Sequence, residues 1–176
     1  RGIECLMCPD PQRARALALE LDTMNRERQR IERDMETQAL EALAKFEALA
    51  DVPAALVMFE AGWHQGVVGI LASRVKERYH RPVIAFARVG EGELKGSGRS
   101  VAGLHLRDLL DTVATQNPGL LDRFGGHAMA AGLSLAEDRL EDFERAFVAA
   151  VAQAAPEGLS AVTETDGDLQ AEEFNL

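Results

Sequence analysis

Apolar positions settle into a helical rhythm at Ala14. Ala14, Leu17, Leu21 and Met24 recur at steps of three and four, and Ile31, Met35, Ala39, Leu43 and Phe46 carry the stripe to about Leu49. Asp10 is a good N-cap and Pro11 suits a first helical position, so the helix should start there. Between Asn25 and Glu36 nearly every other residue is charged. A helix that is polar on most sides usually crosses solvent between two packed bodies. An amphipathic helix folded back on its own domain fits the pattern equally well. Ahead of this helix, residues 2–8 form a short apolar run that Pro9 breaks.

After Pro53 the rhythm shortens. The run 55–59 reads as a buried strand. Val67, Leu71, Val75 and Tyr79 share one stripe of a helix over 67–79. Residues 82–87 read as a second strand. A Gly90-Glu91-Gly92 turn then leads to a third over 93–99. The pattern predicts a helix over 106–115, a short one restarted by Asn117-Pro118, and a fourth strand at Leu133-Ser134-Leu135. A long amphipathic helix follows, marked by Leu140, Phe143, Phe147 and Val151. Strands alternating with helices argue for an α/β domain, a mixed sheet flanked by helices and preceded by a long helix. Pro156-Glu157-Gly158 ends this body, and the acidic tail 161–176 has too little apolar matter for a core of its own.

Composition narrows the classes. The chain has 176 residues, 47% of them apolar, enough for one core plus an appendage. No apolar run is long enough to span a membrane, and residues 1–8 lack the apolar core of a signal peptide. With two cysteines a disulfide framework is not expected, and a cytoplasmic location is the simplest. The net charge of −10 argues against a nucleic-acid partner until its distribution is considered. Residues 1–60 carry 8 Lys/Arg and 12 Asp/Glu, residues 61–107 carry 8 and 3, and residues 108–176 carry 3 and 14. The middle is therefore +5 between flanks of −4 and −11. A local basic patch matters more to phosphate than the sum does. Equally, Arg74, Lys76, Arg78 and Arg81 could be no more than the wet face of one helix.

Three glycine-rich strings could bind phosphate. Gly62-Trp63-His64-Gln65-Gly66-Val67-Val68-Gly69 lies between a strand and a helix, where backbone N–H groups favour anions. Lys95-Gly96-Ser97-Gly98-Arg99-Ser100 joins a mobile backbone, two hydroxyls and a guanidinium that can fork onto phosphate oxygens. Phe124-Gly125-Gly126-His127-Ala128-Met129-Ala130-Ala131-Gly132 suggests a tightly packed helix with His127 at its first turn. Each string also has a purely architectural reading. Cys5 and Cys8 have CxxC spacing but no second pair to complete a zinc site, and read as small buried residues. His80 and His105 read as structural or surface residues. No run clusters Asp with His as a two-metal phosphoesterase site requires.

These strings resemble the DHH-associated domain of the DHH phosphoesterase superfamily, whose hallmark is the Gly-Gly-His-Ala-x-Ala-Ala-Gly pattern at 125–132. Within it, residues 63–74, residues 95–100 and the stretch from Glu20 to Arg28 are similar to RecJ-type single-strand-specific 5′–3′ exonucleases. Thr165-Asp166-Gly167-Asp168-Leu169 resembles the entry to the OB-fold domain that follows in that family. The resemblance implies a remnant of a preceding DHH domain at 1–8 and a connector helix over 9–50. It implies the DHH-associated domain over 51–158 and a tail leading toward an OB-fold over 159–176. It further implies single-stranded DNA as substrate, in repair and recombination, and two Mn²⁺ or Mg²⁺ ions held by the DHH domain rather than by this chain. Ser97, Gly98, Arg99 and Ser100 would then contact backbone phosphates. Gly125, Gly126 and the catalytic candidate His127 would sit at the cleft, and His64 would assist binding. A short-RNA or cyclic-dinucleotide phosphodiesterase of the same superfamily, and a non-catalytic nucleic-acid-binding module, are the alternatives.

Overall fold

The computed structural model describes residues 1–47 and 52–160. A short helix α1 (Gly2–Met7) leads into a 37-residue helix α2 (Pro11–Glu47). Asp10 caps α2 as expected, its carboxylate accepting from the Gln12 N–H at 3.0 Å. The domain then runs β1 (Leu56–Phe59), α3 (Val68–Tyr79), β2 (Val83–Gly90), β3 (Glu93–Arg99), α4 (Leu106–Gln116), β4 (Arg123–Gly126), β5 (Ala130–Ala136) and α5 (Leu140–Ala154). Its five-stranded sheet has the order β1-β2-β3-β5-β4. β1 and β2 are parallel, joined across α3, and every other pair is antiparallel.

Strand alternation sorts side chains onto two faces. Ile84, Phe86, Leu94, Leu133 and Leu135 point to a core shared with α4 and α5, where Phe143 meets Phe86 edge-on and stacks on Phe147, ring centroids 5.6 Å apart in each pair. Val83, Ala85 and Ala87 point the other way, to a second core with Leu71, Ala72 and Val75 of α3 and Met35 of α2. β2 is buried on both sides, which is why it reads as an unbroken apolar run. α3 packs on β2 and β3, so on its side β5 and β4 are left largely uncovered.

α2 is exposed from Asp22 to Arg30, with Leu17 buried before that stretch and Glu32 and Met35 after it. It packs on α1 at one end and α3 at the other. The joint with α3 is ionic: Glu32, 7% exposed, accepts from Arg74 at 2.8 Å and from Arg28 at 3.1 Å.

Three expectations fail. Asn117-Pro118 starts no helix: residues 117–120 turn, with Gly119 at φ +79°, and Asn117 caps the end of α4 by donating to the Val113 carbonyl at 3.0 Å. The Ala/Gly run after His127 is the returning strand of a β4–β5 hairpin, not a helix. Alanine's helix preference yields there to pairing with β3, about thirty residues away. Cys5 and Cys8 are only half-buried, their thiols facing the carbonyls of Ala14 and Asp10 at 3.5 Å. His80 and His105 do have structural places. His80 ends α3 in the left-handed conformation (φ 48°), and His105 caps α4, accepting from the Asp108 N–H at 3.3 Å.

Candidate nucleic-acid interface

The uncovered part of the sheet forms a groove of about 840 Å³, walled by Gln65 and Val68 at the start of α3. Register sets its floor. Lys95, Ser134 and Arg123 lie in one row across β3, β5 and β4; Ser97, Gly132 and Gly125 lie in the next; Arg99 and Ala130 begin a third. The rows step along the strands by two residues, roughly 6.6–6.8 Å. Two of the three sequence strings thus meet on one face although about 25 residues or more separate them. Lys95 and Arg123 are exposed and make no ion pair among the described residues. Glu93 and Asp122 line the groove beside them. α3 presents its N-terminus beside the groove with no side-chain cap and no acidic residue in its first turn. The helix dipole there favours an anion.

Arg99 is half-buried and held. Its Nε donates to the Ser73 hydroxyl at 3.1 Å and its Nη1 to the Gly98 carbonyl at 2.8 Å. Ser97 stands two residues away on the same face, half-buried. Gly125 and Gly132 are exposed, have unstrained φ, and would meet nothing closer than 3.9 Å if given a Cβ. No neighbour in the chain accounts for glycine at either place. Their pairing leaves a strip of bare backbone that a ligand can approach closely.

Other expected site residues serve the groove from outside it. Gly98 faces the core, where a Cβ would stand 2.8 Å from Leu106, so it is a packing glycine. Ser100 is 1% exposed and donates its hydroxyl to the Leu104 carbonyl at 3.0 Å, so it does not reach a phosphate. Its backbone N–H bonds the Met129 carbonyl at 3.0 Å, and Leu106 N–H bonds that of Ala128 at 2.8 Å. Together they anchor the 127–129 loop. Gly126 makes that turn at φ +151°, a conformation its lack of a Cβ permits. His127 is exposed on the loop at the Arg99 end of the sheet, its N–H bonded to the Ala130 carbonyl at 2.8 Å. His64 is not in the groove. Its Nδ1 accepts from the Gly66 N–H at 3.1 Å, and it lines a separate, mostly apolar cavity of about 530 Å³ with Met24, Arg28 and Ile31 of α2.

The basic middle segment also divides. Arg74 pairs with Glu32 and Glu36 (2.8 and 3.4 Å), which hold its pKa above the usual guanidinium value through the Glu32 hydrogen bond first and the Glu36 charge next. Arg88 pairs with Glu137, Lys76 with Glu77, and Arg81 donates to the Leu159 carbonyl at 2.8 Å. Among the described residues the cations that line the groove are Lys95 and Arg123, with Arg99 one row further along β3, against α3. Sequence reading missed Lys95, Arg123, Gly132 and Ser134 as site residues. Strand alternation marked Lys95 with Ser97 and Arg99. Gly132 is hidden by the helix that the run after His127 suggests, Arg123 lies where the pattern predicts no strand, and Ser134 falls in the strand expected at 133–135.

The chain matches the family model of the DHHA1 domain over residues 51–153. It is 52% identical, over 99% of its length, to a protein of Dickeya dadantii (strain 3937) named single-stranded-DNA-specific exonuclease RecJ. The chain spans only 31% of that relative. Its fold superposes on RecJ from Thermus thermophilus, solved in complex with Mg²⁺, with a TM-score of 0.71 at 33% identity, covering 85% of this chain and 22% of that one. An exonuclease RecJ bound to manganese gives a TM-score of 0.71 at 32% identity, covering 85% and 35%. No helix among the described residues is long and apolar enough to cross a membrane.

Proposed function

Because the chain belongs to the DHHA1 domain family, we propose that it is the strand-gripping part of a metal-dependent 5′–3′ exonuclease specific for single-stranded DNA, acting in repair and recombination. Residues 1–8 are then the end of a DHH domain, 9–50 the connector, 51–158 the gripping domain and 159–176 the lead toward an OB-fold; of these, 48–51 and 161–176 lie outside the described residues. The observation that carries this reading is the register that sets Lys95, Ser97, Arg99, Arg123 and Ser134 on one sheet face, beside α3 and around the exposed Gly125–Gly132 strip. Charged and hydroxyl donors around exposed backbone suit a sugar–phosphate chain and not a flat apolar ligand.

The Mg²⁺ or Mn²⁺ of the structural relatives does not fit this part of the chain, since no group of three His, Cys, Asp or Glu stands together among the described residues. The ion belongs to the DHH domain, and the residues of this chain bind and orient. Lys95 and Arg123 attract phosphates by charge, while Arg99 and Ser97 fix one of them by directed hydrogen bonds. His127, exposed on a loop that Ser100 anchors, faces the cleft and acts beside the scissile phosphate.

The test is steady-state kinetics of the full-length protein on a 5′-phosphorylated single-stranded oligonucleotide with Mn²⁺, beside melting curves. Arg99→Ala should raise KM about tenfold or more, the loss of a charge-assisted pair. Arg99→Lys should recover only part, because an ammonium cannot reproduce the fork. His127→Ala should lower kcat by about 10²-fold with KM and Tm unchanged. Unaltered kinetics together with a sharply lower Tm would make His127 a packing residue and remove it from the site.

A further inference from the structure

Gly69 lies inside α3, the element in which glycine is the least favourable ordinary residue. Its backbone has no left-handed φ to justify it. The explanation lies in what an added Cβ would meet: Arg99 Nη2 at 3.1 Å, Ser97 Oγ at 3.5 Å and Ser97 Cβ at 3.6 Å. The Arg99 guanidinium therefore presses on this position, while Ser97 would stand at ordinary van der Waals distance.

Ser73 stands one turn further along α3. Its hydroxyl donates to the Gly69 carbonyl at 3.2 Å and accepts from Arg99 Nε at 3.1 Å. The guanidinium is thus pinned at Nε by Ser73 and at one Nη1 hydrogen by the Gly98 carbonyl, 2.8 Å away. A guanidinium has five N–H donors. Three remain, two on Nη2 and one on Nη1. With Nε engaged, a fork onto phosphate would have to use Nη1 and Nη2, and Nη2 is the atom that stands beside Gly69.

We propose that Gly69 and Ser73 are positioning residues: they form a cradle on α3 that holds Arg99 in the geometry needed to grip a phosphate of the single strand. The inference rests on the phosphate-binding role proposed for that face. Gly69 supplies room for the guanidinium, and Ser73 fixes its rotation about the last side-chain bonds. Preorganisation of this kind removes an ordering cost from binding.

The experiment uses the full-length protein with Mn²⁺ and a 5′-phosphorylated single-stranded oligonucleotide, reading kcat, KM and Tm. Ser73→Ala should raise KM about 3–10-fold with kcat kept, the loss of one hydrogen bond to a charged group. Ser73→Thr, which retains the oxygen, should stay within about twofold of the parent. Gly69→Ala should raise KM by a similar factor while Tm holds or rises, because alanine is the better helix residue. A residue that merely supported the fold could not show that combination. In an Arg99→Ala background, Ser73→Ala should add no further loss, since it acts through the arginine. If Arg99→Ala raises KM but neither α3 variant does, or if Ser73→Ala costs as much without Arg99, the cradle is wrong and the phosphate-binding face stands. If Arg99→Ala leaves KM unchanged, both fall.

Discussion

Adjacent glycines in the Gly125-Gly126 pair answer to different demands. Gly126 is required by the chain itself: at φ +151° an added Cβ would stand 2.4 Å from the Ala130 carbonyl oxygen and 2.5 Å from the Ala131 Cα. Gly125 is required by nothing in the chain, since a Cβ there would enter open space. Gly126→Ala should therefore destabilise by roughly 2–4 kcal/mol, combining backbone strain with a clash against main chain. That lowers Tm by about 5–15 °C. Gly125→Ala should leave Tm unchanged or slightly raised and still raise KM for the oligonucleotide about 3–10-fold, by blocking close approach of the strand. Melting curves and initial rates for the two variants decide the matter. A Gly125→Ala protein with parental KM would show that the bare strip is not part of the interface.

At the level of elements, α3 joins the parts. Through Ser73 it touches Arg99 of β3, and through Arg74 it touches Glu32 of α2. Glu32 is buried and accepts from two arginines, so its removal leaves α2 without its main polar tie to the domain. Glu32→Ala should lower Tm by about 3 °C, corresponding to roughly 1 kcal/mol at this chain length. It should also speed amide exchange in the second half of α2 more than in the sheet. Uniform exchange across both would mean that the α2–α3 joint is not a separate unit. The amphipathic stripes of α3, α4 and α5 were legible because a helix writes its period into neighbouring residues. Of the β4–β5 hairpin only 133–135 was legible, because β5 is held by β3, far away in sequence, and β4 in turn by β5.

For the molecule as a whole, charge sets the strength of binding. The chain carries −10 overall, yet this face of the sheet carries Lys95, Arg99 and Arg123. Three phosphate contacts predict a slope of about −2 for log K against log salt on single-stranded DNA. Fluorescence anisotropy of the isolated 176-residue chain across a salt series would measure it. Affinity should be weak, because the acidic flanks oppose long-range attraction. The same sample should not degrade the DNA when Mn²⁺ is added. Tight, salt-insensitive binding would contradict a grip on phosphates, and degradation by a highly purified sample would contradict a separate catalytic domain.

The sequence by itself determined the α/β class, most of the strands and helices, and the strings to which a role in binding is proposed. Each of these depends on local periodicity, capping or a short run of residue types. It also carried the resemblance that the DHHA1 match bears out. Only the tertiary structure decided how those strings meet. Strand alternation splits Ser97 and Arg99 from Gly98, sending the first two to the groove face of the sheet and the last against Leu106. Folding buries Ser100 as an anchor, and pairing with β3 turns an alanine-rich run into a strand. Arg74, which the sequence leaves between a basic patch and the wet face of a helix, is drawn into a joint with Glu32. A side chain's partners are set by sheet register and helix docking, and both are contacts between residues that the linear chain keeps apart.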